Sequence, residues 1–184
     1  MDGITFTSAG LYYSDGLRSL ARSMKENNRE SIRKAARIIA PLIPEGSCLI
    51  PAPGRHGYAD HTLVLAEEIV HLTGVVYRDI LKGKPRMSQY QAKQNGKGLT
   101  EKELGLYTIG SVPKGLNPIV LDNVIGSGIT GKAAIHALGK GSVLALAMDD
   151  GFHEVHQTQT NTQTQEKDNE QQLQRQTHSF HRTF

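Results

Sequence analysis

The segment NPIVLDNVIGSGITGKAA, at positions 117–134, constrains the fold of this chain more than any other feature. An apolar run that predicts a strand leads into a glycine-rich turn, and small apolar residues at helical spacing follow. A strand that passes through such a turn directly into a helix is typical of open α/β sheets. The segment therefore predicts a parallel sheet with this turn at the carboxyl end of one strand.

Other apolar segments show the same alternation of strand and helix patterns. Strands are predicted at 47–51, 75–77, 119–122 and 143–148, and helices are predicted around Leu20, around Ala36, after Asp60 and around Ala134. The apolar opening from Ile4 to Tyr13 is interpreted as a hairpin. We expect a mainly parallel sheet flanked by helices, which is an α/β fold.

Residues 79–117 connect two of the predicted strands and are too long and too rich in glycine and lysine for a simple loop. We interpret this connection as a lid over an active site. Seven cations and two acids lie between Arg78 and Lys102, which suits a phosphate-rich ligand. A solvated basic loop would carry the same charge, so both interpretations stay open.

The length of 184 residues allows one domain with a short appendage. We expect the domain at 1–153 and a disordered tail at 154–184, because 16 of these 31 tail residues are Gln, Thr or Asn. Cys48 is the only cysteine, which fits a reducing compartment and predicts a cytoplasmic protein. No apolar run reaches about 18 residues, so we expect no membrane insertion.

The glycine-rich turn has the chemistry of an anion site. Gly126 and Gly128 let an anion approach the backbone, Ser127 and Thr130 carry hydroxyls, and the amides of the next helix face the same place. Asp122 lies near the carboxyl end of the strand, where its carboxylate can accept hydrogen bonds from a ribose diol. Together these groups suit a sugar phosphate.

Two other interpretations of the turn are open. It could be an ordinary connection with Thr130 as the helix cap. The residues from Gly126 to Lys132 also spell G-x-x-x-x-G-K, the pattern of a Walker A loop, although Ala133 replaces the hydroxyl residue that would bind magnesium.

The segment VLDNVIGSGIT resembles the phosphoribosyl-diphosphate (PRPP) binding signature of the type I phosphoribosyltransferase family. Upstream, YYSDGLRSLARSMKENN and CLIPAPGRHGYADHTLVLAEEI are similar in order to the competence-protein (ComF-like) type of that family. RMSQYQAKQNG resembles the Gln-rich and basic lid of that type more loosely. The resemblance covers roughly the domain of about 150 residues.

The resemblance implies the family's fold, with a small N-terminal hood, and the activity of a pentosyl-transferring glycosyltransferase. Such an enzyme moves ribose 5-phosphate between PRPP and a nitrogenous base, releases pyrophosphate and serves nucleotide metabolism. The implied partners are PRPP and a nucleobase-like acceptor. Whether the protein also forms a homodimer is left open. The implied cofactor is Mg²⁺, which would bridge oxygens of PRPP, and Asp122 is the one candidate for a direct protein ligand of the ion.

The resemblance also assigns site residues. Those implied to hold the ribose hydroxyls are Asp122 and Asn123. Those implied to surround the 5′-phosphate are Gly126, Ser127, Gly128, Ile129 and Thr130. The implied pyrophosphate loop is Ala52, Pro53, Gly54, Arg55 and His56. Arg78 and Lys93 would reach the departing pyrophosphate and, with Asp122, form the catalytic set.

Several residues depart from the family pattern. Asn123 replaces the usual second acid, and Gly126 occupies a position that is acidic in some purine enzymes. The zinc-binding cysteines often found in the ComF-like type are absent, since Cys48 is alone. These departures keep open a second function, a non-catalytic regulator that binds PRPP or a nucleotide.

A third interpretation is a ComF-like accessory of DNA uptake whose basic lid grips single strands. The lid region 79–102 contains one aromatic residue, Tyr90, where base stacking would favour several, which argues against a nucleic-acid partner. Asp149 and Asp150 follow the last predicted strand and would either meet a nucleobase edge or magnesium or simply end the strand. The histidines lack metal-ligand spacing and are assigned to the surface or to packing.

Overall fold

The computed structural model describes residues 3–94 and 96–154, without the side chains of Gln89, Tyr90 and Lys93. One compact unit ends at Asp150, and a second begins at Gly151. Of the second unit the structure describes residues 151–154, so the predicted tail lies outside the described residues beyond Glu154. No helix in the described part of the chain is long and apolar enough to cross a membrane.

The main sheet has five strands, in chain order β1 Phe6–Ser8, β2 Ser47–Pro51, β3 Val76–Tyr77, β6 Asn117–Ile125 and β7 Ser142–Met148. A separate antiparallel pair consists of β4 Leu81–Lys82 and β5 Tyr107–Thr108. The helices are α1 Arg18–Lys25, α2 Arg29–Ile39, α3 His61–Thr73, α4 Gln89–Gln94, α5 Glu101–Leu104 and α6 Ile129–Leu138. A short 3₁₀ turn, Ala40–Leu42, follows α2, and residues 150–154 are helical.

The strands of the main sheet lie in the order β1-β7-β6-β2-β3, and every neighbouring pair is parallel. The predicted fold class, a mainly parallel sheet flanked by helices, is confirmed. From β2 the chain goes outward to β3, and from β6 it goes outward in the opposite direction to β7. The order therefore reverses between β2 and β6, where open α/β sheets form a ligand crevice at their carboxyl edge.

A cluster of apolar side chains lies between the sheet and helices α1, α2 and α3. Its fully buried members include Met24, Ile32, Ile39, Leu65 and Ile69 from the helices and Leu49, Leu121 and Leu146 from the strands. Burying each such side chain contributes about 1.5–3 kcal/mol. This cluster fixes β2 and β6 side by side, which holds the crevice in a defined geometry.

The N-terminal segment, where we expect a hairpin and a small hood, runs along the outer side of β7. Phe6 pairs in parallel with Val143, and Leu11 forms a bridge with Met148. The hairpin prediction is wrong, because both halves of the segment pair with β7 instead of with each other. Strand β7 is apolar after Ser142, and its backbone groups on this side require partners, which the two halves supply.

The predicted lid, residues 79–117, contains short elements of its own. Strands β4 and β5 form the antiparallel pair, and α5 begins with a capping box in which Thr100 and Glu103 exchange hydrogen bonds. The segment is therefore more than a flexible connection, and its first residues lie against the loop that follows β2.

Candidate functional site

Two of the predicted ligand loops meet at the carboxyl ends of β2 and β6. Pro51 pairs with Leu121, and Ala52 N donates to Leu121 O at 2.9 Å. The hydroxyl of Thr62, near the start of α3, donates to Ala52 O at 2.7 Å and is buried. These bonds hold the 52–56 loop beside β6, at the point where the strand order reverses.

Strand β6 is longer than the predicted 119–122, because it begins at Asn117 and runs past Asp122 to Ile125. Asp122 pairs with Ala145 of β7, whereas the pairing with β2 stops one residue earlier, at Leu121. The sheet therefore forks at Asp122. On the open side of the fork, Asn123 N donates to the Asp122 side chain Oδ1 at 2.7 Å.

The glycine-rich turn consists of residues 126–128 and opens directly into α6. Gly128, the residue before α6, has a φ of 70°. This left-handed conformation favours glycine. A β-carbon on Gly126 would have no atom within 4 Å, so there is open space beside this residue. Ser127 is exposed next to that space.

Helix α6 leaves backbone amides directed at the same turn. Its first internal hydrogen bond runs from Lys132 N to Gly128 O at 2.9 Å, so the amides of Ile129, Thr130 and Gly131 have no acceptor among the described residues. Unpaired N–H groups at the positive end of a helix dipole attract an anion. The turn and the helix start together can hold a phosphate group.

The helix start disfavours a Walker A loop. Helix α6 begins at Ile129, so Ile129 and Thr130, which the G-x-x-x-x-G-K pattern would place in the phosphate-binding loop, are already helical. A β-carbon on Gly131 would come within 2.8 Å of both Phe6 and Val143, so this glycine serves the packing of α6 on the sheet. A turn of three residues is too short to wrap two phosphates.

The predicted pyrophosphate loop presents two exposed basic side chains. Ala52 and Pro53 are buried, whereas Arg55 and His56 are exposed. Arg55 Nε donates to His56 Nε2 at 3.1 Å, and Gly54 N donates to Tyr58 O at 2.9 Å. The loop is thus closed on itself, with its charged side chains outside.

Arg86, in the first part of the lid, joins this loop to Asp122. Its backbone N donates to Arg55 O at 2.8 Å, and its guanidinium donates to Pro53 O at 3.2 Å. Burial lowers the pKa of Arg86, and the charge of Asp122 opposes that shift. The lid segment from Gly83 to Arg86 therefore lies over the loop and brings a cation to the crevice.

Asp122 is the anion on which the charges of the site converge. Burial raises the pKa of its carboxyl group, and the Asn123 backbone amide and the charges of His61, Lys25 and Arg86 act in the opposite direction. Burial likewise lowers the pKa of His61, the first residue of α3, against the charge of Asp122. Lys25, Arg86 and the imidazole of His61, from three separate segments, thus act on one carboxylate.

Asn123 faces the helices instead of the turn. It is 3% exposed, and its side-chain Nδ2 donates to Ala21 O in α1 at 3.4 Å. Hydrogen bonding with Asn123 also raises the pKa of His61. The amide of Asn123 therefore connects α1 to β6 and acts on the ring of His61 in α3.

The two predicted basic residues of the catalytic set differ in what the structure describes. Arg78 follows β3 and is exposed, and its guanidinium donates to the carbonyl oxygen of its neighbour Tyr77 at 3.0 Å. The backbone of Lys93 belongs to α4, and its side chain lies outside the described part of the structure. The roles of both residues stay predictions.

Sequence reasoning missed Arg86 and His61 as members of this cluster. Arg86 is one of seven cations in its stretch and has no local pattern that distinguishes it. His61 was assigned to packing, because it forms no metal-ligand spacing. Both reach Asp122 only through the tertiary fold, so no signal within one segment could have found them.

Asp150 has a structural role in the described chain. Its carboxylate accepts hydrogen bonds from the backbone of Tyr13 at 3.0 Å, from the backbone of Ser14 at 3.1 Å, and from the Ser14 hydroxyl. These bonds lower the pKa of Asp150. Of the two interpretations of the Asp149-Asp150 pair, the turn that ends β7 is therefore favoured for Asp150.

The metal-binding side chains among the described residues do not form a magnesium site by themselves. Within residues 3–94 and 96–154, no group of three or more His, Cys, Asp or Glu side chains is arranged to hold a metal ion. One oxygen of Asp122 already accepts the Asn123 amide. A magnesium ion at this crevice would need most of its oxygen ligands from the phosphates of a substrate and from water.

No known protein-family model matches the chain, and no curated protein matches it.

Proposed function

We propose that the protein is a phosphoribosyltransferase, which moves ribose 5-phosphate between PRPP and a nitrogenous base and releases pyrophosphate. The observation that supports this most is the arrangement of Asp122 and the free amides of α6 on one strand, turn and helix. A carboxylate suited to a diol and a cradle suited to a phosphate thus belong to one continuous segment, which supports a ribose 5-phosphate ligand.

The neighbouring segments supply sites for the rest of the substrate. In the proposal, the amides of residues 129–131 bind the 5′-phosphate and Asp122 accepts hydrogen bonds from the ribose hydroxyls. The 52–56 loop lies beside the fork, with Arg55 exposed, and Arg86 reaches it from the lid. Arg86, Arg55 and Arg78 are the described cations that would face the pyrophosphate.

In the reaction, the bond between C1 of the ribose and pyrophosphate breaks, and pyrophosphate leaves with the electron pair. A ring nitrogen of the base then bonds to C1, and the proton of that nitrogen is lost. The protein aligns the two partners and places cations where charge develops on the leaving group. Magnesium, when bound with PRPP, supplies further neutralisation of phosphate charge.

We also propose that the protein acts in the cytoplasm. Its one cysteine, Cys48, is free and buried, and a reducing compartment keeps such a thiol reduced. PRPP and nucleobases are polar, so a cytoplasmic enzyme meets both without transport across a membrane.

A non-catalytic protein that binds PRPP or a nucleotide is the second candidate. The position of Asn123 favours it, since its amide is engaged with Ala21 and does not replace the usual second acid at the ligand. A binding protein needs only the phosphate cradle and the diol acceptor. The two candidates differ in whether C1 of the ribose reacts.

One experiment separates these candidates. The protein is incubated with PRPP, magnesium and each of a panel of purine, pyrimidine and simpler nitrogenous bases, and pyrophosphate release is measured. Release that depends on one base supports the enzyme. Tight PRPP binding without release from any base supports the binding protein, and no PRPP binding contradicts both.

Three substitutions test the assignment of the turn. Asp122→Ala and Thr130→Val should each weaken PRPP binding by about 1–3 kcal/mol, the range for losing a hydrogen bond to a charged group. Lys132→Ala should leave PRPP binding unchanged, because Lys132 lies within α6. Calorimetric titration with PRPP and with ATP decides the matter: an ATP-selective site lost in Lys132→Ala and unaffected in Asp122→Ala would show a Walker A loop.

A further inference from the structure

His61 lies where the loop after β2 enters α3, at the carboxyl edge of the sheet. Its ring is partly buried. Asp122 and Asn123 of β6, Lys25 at the end of α1, and Asp60 before the helix all act on it. His61 is therefore a member of the cluster around the fork and is not a surface histidine.

The ring has an atom without a partner. His61 Nε2 is buried, and it has no hydrogen-bond partner among the described residues. Buried polar atoms in folded proteins are nearly always paired, and each exception calls for a physical reason. A ligand that brings a hydroxyl group to this atom would provide the missing partner.

A second acceptor near Asp122 would give each hydroxyl of a ribose diol an acceptor residue of its own. A ribose diol has two hydroxyls, and Asp122 is the single carboxylate at the fork, with one oxygen already accepting the Asn123 amide. A second carboxylate at position 123 would be buried beside Asp122, where like charges disfavour each other. A neutral imidazole can accept a hydroxyl hydrogen bond without adding negative charge.

We propose that His61 is a second hydroxyl-binding residue of this site, whose Nε2 accepts a hydrogen bond from the ribose diol beside Asp122. The inference rests on the proposed function, because the diol belongs to PRPP or to a nucleotide. Because Nε2 is buried in the ligand-free protein, the contact requires a local rearrangement around His61 when the ligand binds. The lowered pKa of His61 keeps the ring in its accepting form near neutral pH.

The test uses ribose 5-phosphate and its 2-deoxy and 3-deoxy analogues as probes, with binding measured by calorimetry. The wild-type protein should bind ribose 5-phosphate roughly tenfold more tightly than the analogue that lacks the contacted hydroxyl, as expected for one hydrogen bond. His61→Asn has an amide too short to reach the Nε2 position, and it should lose this preference. His61→Gln reaches that position and should retain most of it.

Two controls accompany these variants. His71→Gln changes an exposed histidine near the end of the same helix and should behave as wild type. Pyrophosphate contains no diol, so it should bind to all variants with the same affinity. If His61→Asn does not fold, the ¹⁵N resonance of Nε2 in the wild-type protein provides the second measurement, because accepting a hydrogen bond changes it.

The outcomes distinguish the inference from the function on which it rests. Suppose that the wild-type protein binds ribose 5-phosphate and that His61→Asn prefers it over both deoxy analogues by the same factor as wild type does. The role of His61 is then overturned, whereas the sugar phosphate site stands. An Nε2 resonance that does not change at saturation has the same meaning. If the wild-type protein binds neither ribose 5-phosphate nor PRPP, the proposed function fails, and this inference fails with it.

Discussion

Gly57 and Gly83 lie backbone against backbone, with Gly83 N donating to Gly57 O at 2.8 Å. A β-carbon on Gly57 would overlap the carbonyl oxygen of Gly83, so no other residue fits at position 57 while the two segments are in contact. This pair joins the base of the lid to the loop that follows β2. The position of the lid base is therefore set by two glycines outside the charged cluster.

Gly57→Ala should separate the lid base from the loop. The substitution adds the overlap with Gly83 to the strain of a φ of +86°, whereas Gly115→Ala, at φ +85° with open space around it, adds only the strain. We expect Gly57→Ala to lower the free energy of unfolding by about 1–3 kcal/mol more than Gly115→Ala does. Urea titration measures this, and limited proteolysis should cut the lid faster. Equal effects of the two substitutions would contradict the contact.

Arg86→Gln should weaken PRPP binding by roughly 10–100-fold, since it removes a cation and its charge-assisted hydrogen bond from the crevice. Lys102→Gln is the matched control, because Lys102 is exposed on α5 in the same lid. Isothermal titration with PRPP and magnesium compares the two variants with wild type. A loss of the same size in Lys102→Gln would point to a general effect of lid charge.

His61 should make the stability of the protein depend on pH. Burial lowers its pKa below the ordinary value of 6.5, so the unfolded chain takes up a proton at higher pH than the folded protein does. The stability contributed by the neutral ring is present above pH 6.5 and is lost as the pH falls through the lowered pKa. The free energy of unfolding of His61→Gln should decline less below pH 6.5 than that of His71→Gln. Identical profiles would show that the His61 ring titrates freely.

Asp122→Asn should stabilise the ligand-free protein at neutral pH. Burial raises the pKa of Asp122 above 3.8, so its contribution to stability is present below that pH and is lost as the pH rises through the raised value. Removing the charge should raise the free energy of unfolding at pH 7 by about 0.5–2 kcal/mol, while PRPP binding becomes weaker. Thermal unfolding at pH 7 and at pH 4 measures the difference, which should shrink at the lower pH. A variant less stable than wild type at pH 7 would mean that the surrounding cations outweigh burial.

The segment at 117–134 shows how far the sequence predicts this site. The strand, the turn at Gly126–Gly128 and the following helix are local, so their apolar pattern and glycines predict them. The predicted end of β6 at Asp122 is wrong, because Asp122 and Asn123 interrupt the apolar run, whereas pairing with β7 carries the strand on to Ile125. The meeting of Asp122 with Arg86 and His61 depends on the packing of distant segments, which no local pattern encodes.

The pairing of β1 with β7 has a consequence for how the chain folds during synthesis. The hydrogen bond from Tyr13 N to the Asp150 carboxylate joins residues 137 positions apart in the chain, and Phe6 pairs with Val143 in the same region. Contacts between such distant residues form late, because the chain loses much entropy when it closes a long loop. The first strand therefore leaves the ribosome long before its partner exists, and the outer edge of the sheet closes only after β7 has been made.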